Sequence, residues 1–165
     1  TNGEAPGTNH VDVNSTTHPG QGIMIRGDKA YVEKVSADLD FASKSDPYVG
    51  AMITDLQNSK YLSVIEPAKG GNSNTTEGVV ENSRNGIGTG SVTKYDPNNS
   101  KLAGHETRPP VVGLVHELQH AWDKIKGVLN DRVDSRTGNQ VVEDRAMWAE
   151  NRMRAVMGIP LRTVY

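Results

Sequence analysis

Two histidines and a glutamate in the segment HELQH could bind a metal ion and use it. His116 and His120 are four residues apart, so on an α-helix their side chains point the same way, one turn above the other. The pattern His-Glu-x-x-His lets two imidazoles bind one Zn²⁺ and places the carboxylate of Glu117 where it can take a proton from the metal's water. Chance produces this pattern in roughly one in a hundred chains of this composition. We therefore interpret His116 and His120 as metal ligands and Glu117 as a catalytic general base.

A catalytic zinc site needs a third protein ligand, and the chain has no cysteine to supply it. The acidic candidates after His120 are Asp123, Asp131, Asp134, Glu143, Asp144 and Glu150. A second helix, predicted over residues 141–158, places Glu143 and Glu150 on one face. We predict Glu143 as the ligand, because a side chain mounted on a packed helix is held rigidly. Glu150 is the alternative; its spacing from Arg154 predicts either a helical ion pair or a residue that orients a metal-binding histidine.

Hydrolysis of an amide also needs a donor to the oxyanion besides the metal. We predict Tyr165 as catalytic, since its hydroxyl could reach that oxygen; the alternative is an aromatic ring that packs the terminus onto the core. Arg162 could bind substrate carboxylates or fix the terminus. His105, in the segment KLAGHETR, is a third candidate donor or a solvated histidine.

The composition limits the class of partner. The chain has 165 residues, enough for one domain with one hydrophobic core. Its net charge is -2 and its pI is near 6.2, which gives no electrostatic footprint for nucleic acid or an anionic membrane. Its apolar runs are far shorter than a bilayer span requires. We therefore expect neither nucleic acid nor a membrane as partner.

The N-terminal part is predicted to hold a tail and a hairpin. Residues 1–22 are rich in Thr, Asn, Gly, Ser and Pro and are predicted as a flexible tail, with a short edge strand at residues 11–13. The catalytic domain is then residues 23–165. Residues 23–35 alternate apolar and polar side chains around Gly27 and Asp28, which predicts a β-hairpin.

Two helices, or one broken helix, and two strands are expected next. Apolar residues recur every three or four positions, with a break at Asp46 and Pro47. The residues that carry this period are Val35, Leu39, Ala42, Val49, Met52, Ile53 and Leu56. A strand is predicted at residues 61–65, a flap or frayed hairpin at residues 68–90, and a short exposed strand at residues 91–95. The exposed edge of this last strand is the predicted platform for a peptide substrate.

The helix that carries the two histidines is predicted over residues 111–127. Pro109 and Pro110 precede it, as proline is tolerated in the first turn of a helix. Its apolar stripe consists of Val111, Leu114, Val115, Leu118, Trp122 and Ile125. Gly113 lies one turn before His116, where we expect it to leave room near a metal.

The C-terminal part of the sequence resembles a known family of peptidases. The residues that carry the resemblance are RPPVVGLVHELQHAWDKIKG and VEDRAMWAENRMRAVMGIPLRTVY, with GTGSVTKYDP before them. They are similar to the small HExxH metallopeptidases of bacterial type III effectors and polymorphic toxins that include the NleD effector, the M91 peptidase group. The resemblance implies an α+β, zincin-like domain with a short mixed or antiparallel sheet, an active-site helix and a C-terminal ligand helix. It also implies one bound Zn²⁺ and proteolysis of a protein in a target cell.

The predicted function is therefore a zinc-dependent endopeptidase that is secreted or translocated into a target cell. Its expected partner is a host protein, and because some relatives cut host signalling kinases, a kinase is one candidate substrate. Two alternatives stay open: a zinc amidase that acts on a small or cell-wall peptide, and a binding module without catalysis, in which the histidines are structural.

Overall fold

The protein is described by a computed structural model over residues 9–12, 21–101 and 107–165. The described elements are β1 (Asn9–Asp12), β2 (Gly22–Gly27), α1 (Lys29–Ser45), α2 (Pro47–Asn58), β3 (Leu62–Pro67), β4 (Ser73–Glu77), a 3₁₀ helix (Val80–Ser83), β5 (Gly90–Tyr95), α3 (Pro110–Lys126) and α4 (Val141–Val156). These helices and strands form an α+β fold, as predicted. None of the described helices is both long and apolar enough to cross a membrane.

The strands form one mixed sheet in the order β1-β2-β3-β5-β4. The three inner strands are parallel, with Ile25 of β2 opposite Ile65 of β3, and Ile65 opposite Thr93 of β5. The outer strands β1 and β4 run antiparallel to their neighbours. Of the mixed or antiparallel sheet that the resemblance implied, the structure has the mixed form. The predicted tail outside residues 9–12 and 21–22, Val13 included, lies outside the described residues.

The hairpin predicted for residues 23–35 is wrong. The strand ends at Gly27, and Asp28 is the N-cap of α1, with its carboxylate accepting a hydrogen bond from the backbone N–H of Tyr31 at 2.8 Å. A Gly-Asp pair is typical both of a turn and of the start of a helix. The helical periodicity of the residues after Asp28 favours the helix cap. The next break is confirmed: Asp46 ends α1 and caps α2 through the N–H groups of Tyr48 and Val49, with Pro47 in the first turn.

The hydrophobic core lies between the sheet and the helices. The predicted apolar positions of α1, α2 and α3 are buried, apart from the half-buried Trp122. Helix α3 lies centrally, because it packs against α2, α4 and β5. It is therefore buried on its polar side as well as on its apolar stripe, and this burial sets the electrostatics of the site.

The strand predicted at residues 91–95 is present as β5, but the prediction that it is exposed is wrong. Strand β5 lies inside the sheet, paired on both edges, with Ser91 and Thr93 buried. The side-chain amide of Asn74 in β4 donates to both hydroxyl groups, at 3.0 and 2.9 Å, so the polar side chains of β5 are buried with partners. The segment predicted as a flap or frayed hairpin supplies the outer strand, β4, and the predicted substrate platform therefore cannot be the edge of β5.

Candidate metal centre and catalytic site

Helix α3 presents His116 and His120 toward α4, and Glu117 lies next to them in the sequence. The helix starts at Pro110 and ends at Gly127, whose left-handed conformation (φ 68°) lets its N–H donate to the carbonyl groups of Asp123 and Lys124. All three site residues of α3 are less than 9% exposed. Such burial makes an unpartnered polar group costly.

The ring nitrogens of both histidines meet the carboxylate of Glu143. Oε2 of Glu143 lies 3.2 Å from Nε2 of His116 and 3.4 Å from Nε2 of His120. Two ligand atoms of a tetrahedral Zn²⁺ are about 3.3 Å apart, because each lies about 2.0 to 2.1 Å from the ion. The three donors lie within 4.8 Å of one another and are chemically suited to zinc. The cluster is therefore compatible with a metal site.

Glu143 occupies the first turn of α4, and the preceding loop fixes where that turn begins. The backbone N–H groups of Val141 and Val142 donate to the carbonyls of Arg132 and Asn130, and Val133 bridges Gln140. Burial would raise the pKa of Glu143, but hydrogen bonds with His116, His120 and Tyr165 outweigh it, and the pKa is lowered overall. Glu143 is thus held as a carboxylate, the form that binds a metal.

The other ring nitrogen of His116 faces Glu150. Nδ1 of His116 lies 3.0 Å from Oε2 of Glu150, which is fully buried. A proton on Nδ1 leaves Nε2 free to bind a metal, and a carboxylate partner orients the ring. Burial alone would lower the pKa of His116, but its bonds to Glu143 and Glu150 raise the pKa to about 9. Glu150 thus lies behind the histidine, outside the three-residue cluster.

Three arginines surround the carboxylate of Glu150. Nη1 of Arg108 lies 2.8 Å from it, Nε of Arg154 3.0 Å and Nη1 of Arg162 3.2 Å. Burial would raise the pKa of Glu150, but the bond to His116 and the charge of Arg108 lower the pKa to about 2. The ion pair between Glu150 and Arg154 that the spacing predicted is present and belongs to this larger cluster.

Glu117 is buried beside the histidines and lines a cavity of about 410 Å³ together with His116. Burial raises the pKa of Glu117, although the two neighbouring histidines act in the opposite direction. A carboxyl group with a raised pKa can accept and return a proton near neutral pH.

The C-terminal segment reaches the same site. The ring of Tyr165 stacks on that of His116, with the centroids 6.1 Å apart and the planes at 15°, and its hydroxyl forms a hydrogen bond with Glu143. Burial and the charge of Glu143 raise the pKa of Tyr165 to about 12, so the phenol is neutral. Nε of Arg162 donates to the carbonyl of Val164 at 2.8 Å, so Arg162 fixes the terminus. His105 lies outside the described residues.

The remaining acidic candidates lie elsewhere. Asp123 is held by Arg145, Asp131 by Arg84, Asp134 by Arg136, and Asp144 by Thr137 and Asn139. The expectation for Gly113 is wrong: a Cβ atom there would lie 2.8 Å from Nδ2 of Asn72 and 2.9 Å from Nη2 of Arg108. The glycine makes room for these two side chains. Sequence reasoning missed Arg108 and Asn72, and the glycine was the one local signal that something packs closely there.

A buried pair of histidines that meets a carboxylate next to a second, buried acid is an arrangement compatible with a metal-dependent hydrolase. The family model of the M91 peptidases, described as effector proteins, matches residues 19–145. The chain therefore belongs to the M91 peptidase family, as the sequence indicated. The matched range includes His116, Glu117, His120 and Glu143. No match to an individual curated protein was found.

Proposed function

We propose that the chain is a zinc-dependent endopeptidase, delivered as a bacterial effector or toxin into a target cell, where it cleaves a host protein. The observation that carries this proposal is the spacing of the three donor atoms of His116, His120 and Glu143, with Glu117 beside them. Membership of a peptidase effector family supports the class of reaction and the setting. The proposed catalytic domain is residues 23–165, zincin-like in the sense that a ligand helix, α4, packs on the helix with the paired histidines.

His116, His120 and Glu143 would hold the zinc ion. When bound, zinc polarises a peptide carbonyl and lowers the pKa of water toward neutrality. Glu117 takes a proton from the attacking water and returns it to the departing amine. Burial raises the pKa of Glu117, which favours its acceptance of that proton. Glu150 keeps the ring of His116 in one orientation throughout.

Tyr165 is proposed as the second donor to the oxyanion. Its hydroxyl bonds to Glu143, so it lies within reach of the reacting carbonyl, and a pKa of about 12 keeps its proton in place. We expect Tyr165→Phe to lower kcat about tenfold, the effect of losing one hydrogen bond to the transition state, with KM nearly unchanged. Tyr61→Phe is the matched control, because the hydroxyl of Tyr61 bonds to the carbonyl of Ile87, away from the site. Equal kcat in both variants would leave Tyr165 with a packing role.

Strand β4 replaces β5 as the proposed platform for the substrate. It is an outer strand of the sheet, and Gly71 and Asn72, just before it, line the same cavity as Glu117. An extended peptide can add to such an edge through main-chain hydrogen bonds. Nζ of the buried Lys124 in α3 donates to the backbone carbonyl of Asn74 at 3.2 Å and to its side chain at 2.6 Å. Lys124 thereby holds β4 against the active-site helix.

The decisive experiment removes the proposed base. Glu117→Gln keeps the size of the side chain and should lower the rate of cleavage by about 10² to 10⁴-fold, the usual contribution of a general base. Zinc content, measured by elemental analysis, should remain one ion per chain. Glu33→Gln on α1, where the exposed Glu33 pairs only loosely with Lys29 at 3.9 Å, is the matched control. Mapping of new N-termini in a treated host-cell lysate by mass spectrometry reads out the cuts.

Each alternative has its own outcome in this experiment. Cleavage of cell-wall peptides that are added to the lysate, with no cut in any lysate protein, would favour an amidase. Identical behaviour of the wild type and Glu117→Gln would favour a binding module. A signalling kinase among the cut proteins would identify the substrate class that the family resemblance suggests.

A further inference from the structure

The cavity beside the proposed catalytic residues has an excess of positive charge in its wall. Lys101, Arg108 and Arg162 line it, and among the described residues of the wall Glu117 has the one acidic side chain. Glu117 faces the two histidines and interacts with their charge. The side of the cavity away from the histidines is therefore cationic.

Two of the three cations in the cavity wall also contact Glu150. The buried carboxylate of Glu150 meets the guanidinium groups of Arg108, Arg154 and Arg162. Arg154 is fully buried, whereas Arg108 and Arg162 also reach the cavity. A wall with fixed cationic groups favours an anionic ligand. The proposed mechanism gives these groups no contact with the substrate.

Arg108 is built into the wall and is not a mobile surface residue. Its side chain is only 9% exposed, and Nη1 is fixed at 2.8 Å from Glu150. Its Nη2 lies over Gly113, where a Cβ atom would be 2.9 Å away. A planar guanidinium fixed by one edge keeps its other N–H groups for a second acceptor.

Asn72 presents a donor next to Arg108. Its Oδ1 accepts the backbone N–H of Asp96 at 3.2 Å, which fixes the orientation of the amide. Its Nδ2 then lies over the same glycine, where a Cβ atom would be 2.8 Å away. The amide of Asn72 and the guanidinium of Arg108 thus lie side by side, one helical turn before His116.

We propose that Arg108, Asn72 and Lys101 form a specificity subsite for an acidic side chain, Asp or Glu, close to the scissile bond of the protein substrate. The proposal rests on the proposed peptidase function. Arg108 and Asn72 donate to the carboxylate, because fixed N–H groups side by side match its two oxygens. The more exposed Lys101 and the neighbouring Arg162 contribute charge.

Cleavage of a proteome-derived peptide library by the zinc-loaded enzyme tests this subsite. Mass spectrometry of the products should show Asp and Glu enriched at one position within about three residues of the cut, since an extended chain advances about 3.3 Å per residue. Lys101→Glu and Arg108→Gln should each lower this enrichment on the order of tenfold, the effect of one charge-assisted hydrogen bond. Lys44→Glu, which makes the same change of charge on the exposed face of α1, should leave it unchanged.

The outcomes separate this inference from the proposed function. Cuts that depend on Glu117 but show no acidic enrichment, or an enrichment that neither variant changes, would overturn the subsite alone. Absence of any cut that depends on Glu117 would overturn the peptidase function, and a binding measurement then decides the subsite by itself.

That measurement uses small probes and the zinc-loaded Glu117→Gln protein. N-acetylaspartate amide should shift the NMR amide signals of Gly71 and Asn72, and its isostere N-acetylasparagine amide should not. Adding Lys101→Glu should weaken binding about tenfold. Equal binding with and without Lys101→Glu would overturn the subsite, since the carboxylate would then bind the metal alone. Tighter binding of N-acetylalanine would also overturn it, in favour of a site for a chain terminus.

Discussion

Two regions of this molecule are equally buried and chemically opposite. Between the sheet and α1 and α2 the buried side chains are almost all apolar, with Ile25, Leu56 and Ile65 fully inaccessible. Between α3 and α4 the inaccessible side chains include Glu150 and Arg154. Apolar burial contributes stability in proportion to area and tolerates changes of shape. Buried charges contribute little net stability but need every partner in place. The region between α3 and α4 therefore fixes the positions of its side chains, whereas the apolar region provides most of the stability.

The same contrast holds within α4, between two glutamates seven residues apart. The side chain of Glu143 is 17% exposed and meets two histidines, whereas that of Glu150 is fully buried beneath three arginines. The carboxylate of Glu143 is therefore available to bind a metal, whereas that of Glu150 is occupied by contacts within the protein.

The largest effect is expected from Glu150→Gln. Removing this charge takes away the carboxylate that Arg108, Arg154 and Arg162 all contact, and we expect the free energy of unfolding to fall by about 3 to 5 kcal/mol. Urea denaturation in the presence of EDTA measures this without a contribution from metal. Glu143→Gln is the matched control: it should lower the metal-free stability by less than Glu150→Gln does but weaken zinc binding by well over tenfold. Similar stability losses for the two variants would mean that the two glutamates do not differ as described.

In the apolar region, Leu56→Ala should lower the free energy of unfolding by about 3 kcal/mol, because it removes buried methyl groups and leaves a cavity. Zinc content and kcat of the remaining folded protein should be unchanged, since Leu56 lies in α2, outside the site. Calorimetry and elemental analysis of the same sample check both statements. Loss of zinc from a Leu56→Ala sample that is still fully folded would show that the apolar region and the metal site are coupled.

The smallest effect concerns the cap between α1 and α2. Asp46→Ala removes the N-cap of α2 and the pair with Arg152 at 2.8 Å, and should cost about 1 to 2 kcal/mol at pH 7. The hydrogen bond from Arg152 and those from the cap N–H groups lower the pKa of Asp46 below its ordinary value of 3.8. This stabilisation is therefore present above that value and lost as the pH falls through the lowered pKa, so the wild type and the variant should converge in acid.

Asp46→Asn separates the two contributions, because asparagine is an equally good cap but carries no charge. It should cost less than about 1 kcal/mol, the value of a partly exposed ion pair. A pH-independent difference between the wild type and Asp46→Ala in urea titrations between pH 2 and 7 would contradict this account.

Local chemistry made much of the fold predictable. Neighbouring residues predict the periodicity of α1 and α2, the break at Asp46 and the start of α3 at its prolines. Helix faces and caps depend on groups within about one turn of each other. The spacing of His116, Glu117 and His120 belongs to the same class, since one helix places all three. The prediction of a hairpin turn at Gly27 and Asp28 was wrong, because the same two residue types also occur where a strand ends and a helix N-cap follows.

The sequence by itself determined that two imidazoles and an acid lie close together on one amphipathic helix. Only the tertiary structure decided that β5 lies inside the sheet, that Glu143 meets the histidines while Glu150 lies behind them, and that Arg108 and Asn72 lie over Gly113. The physical reason is distance along the chain. Contacts within a helical turn follow from backbone geometry, whereas contacts between separate segments follow from how whole elements pack, and no local pattern records that packing.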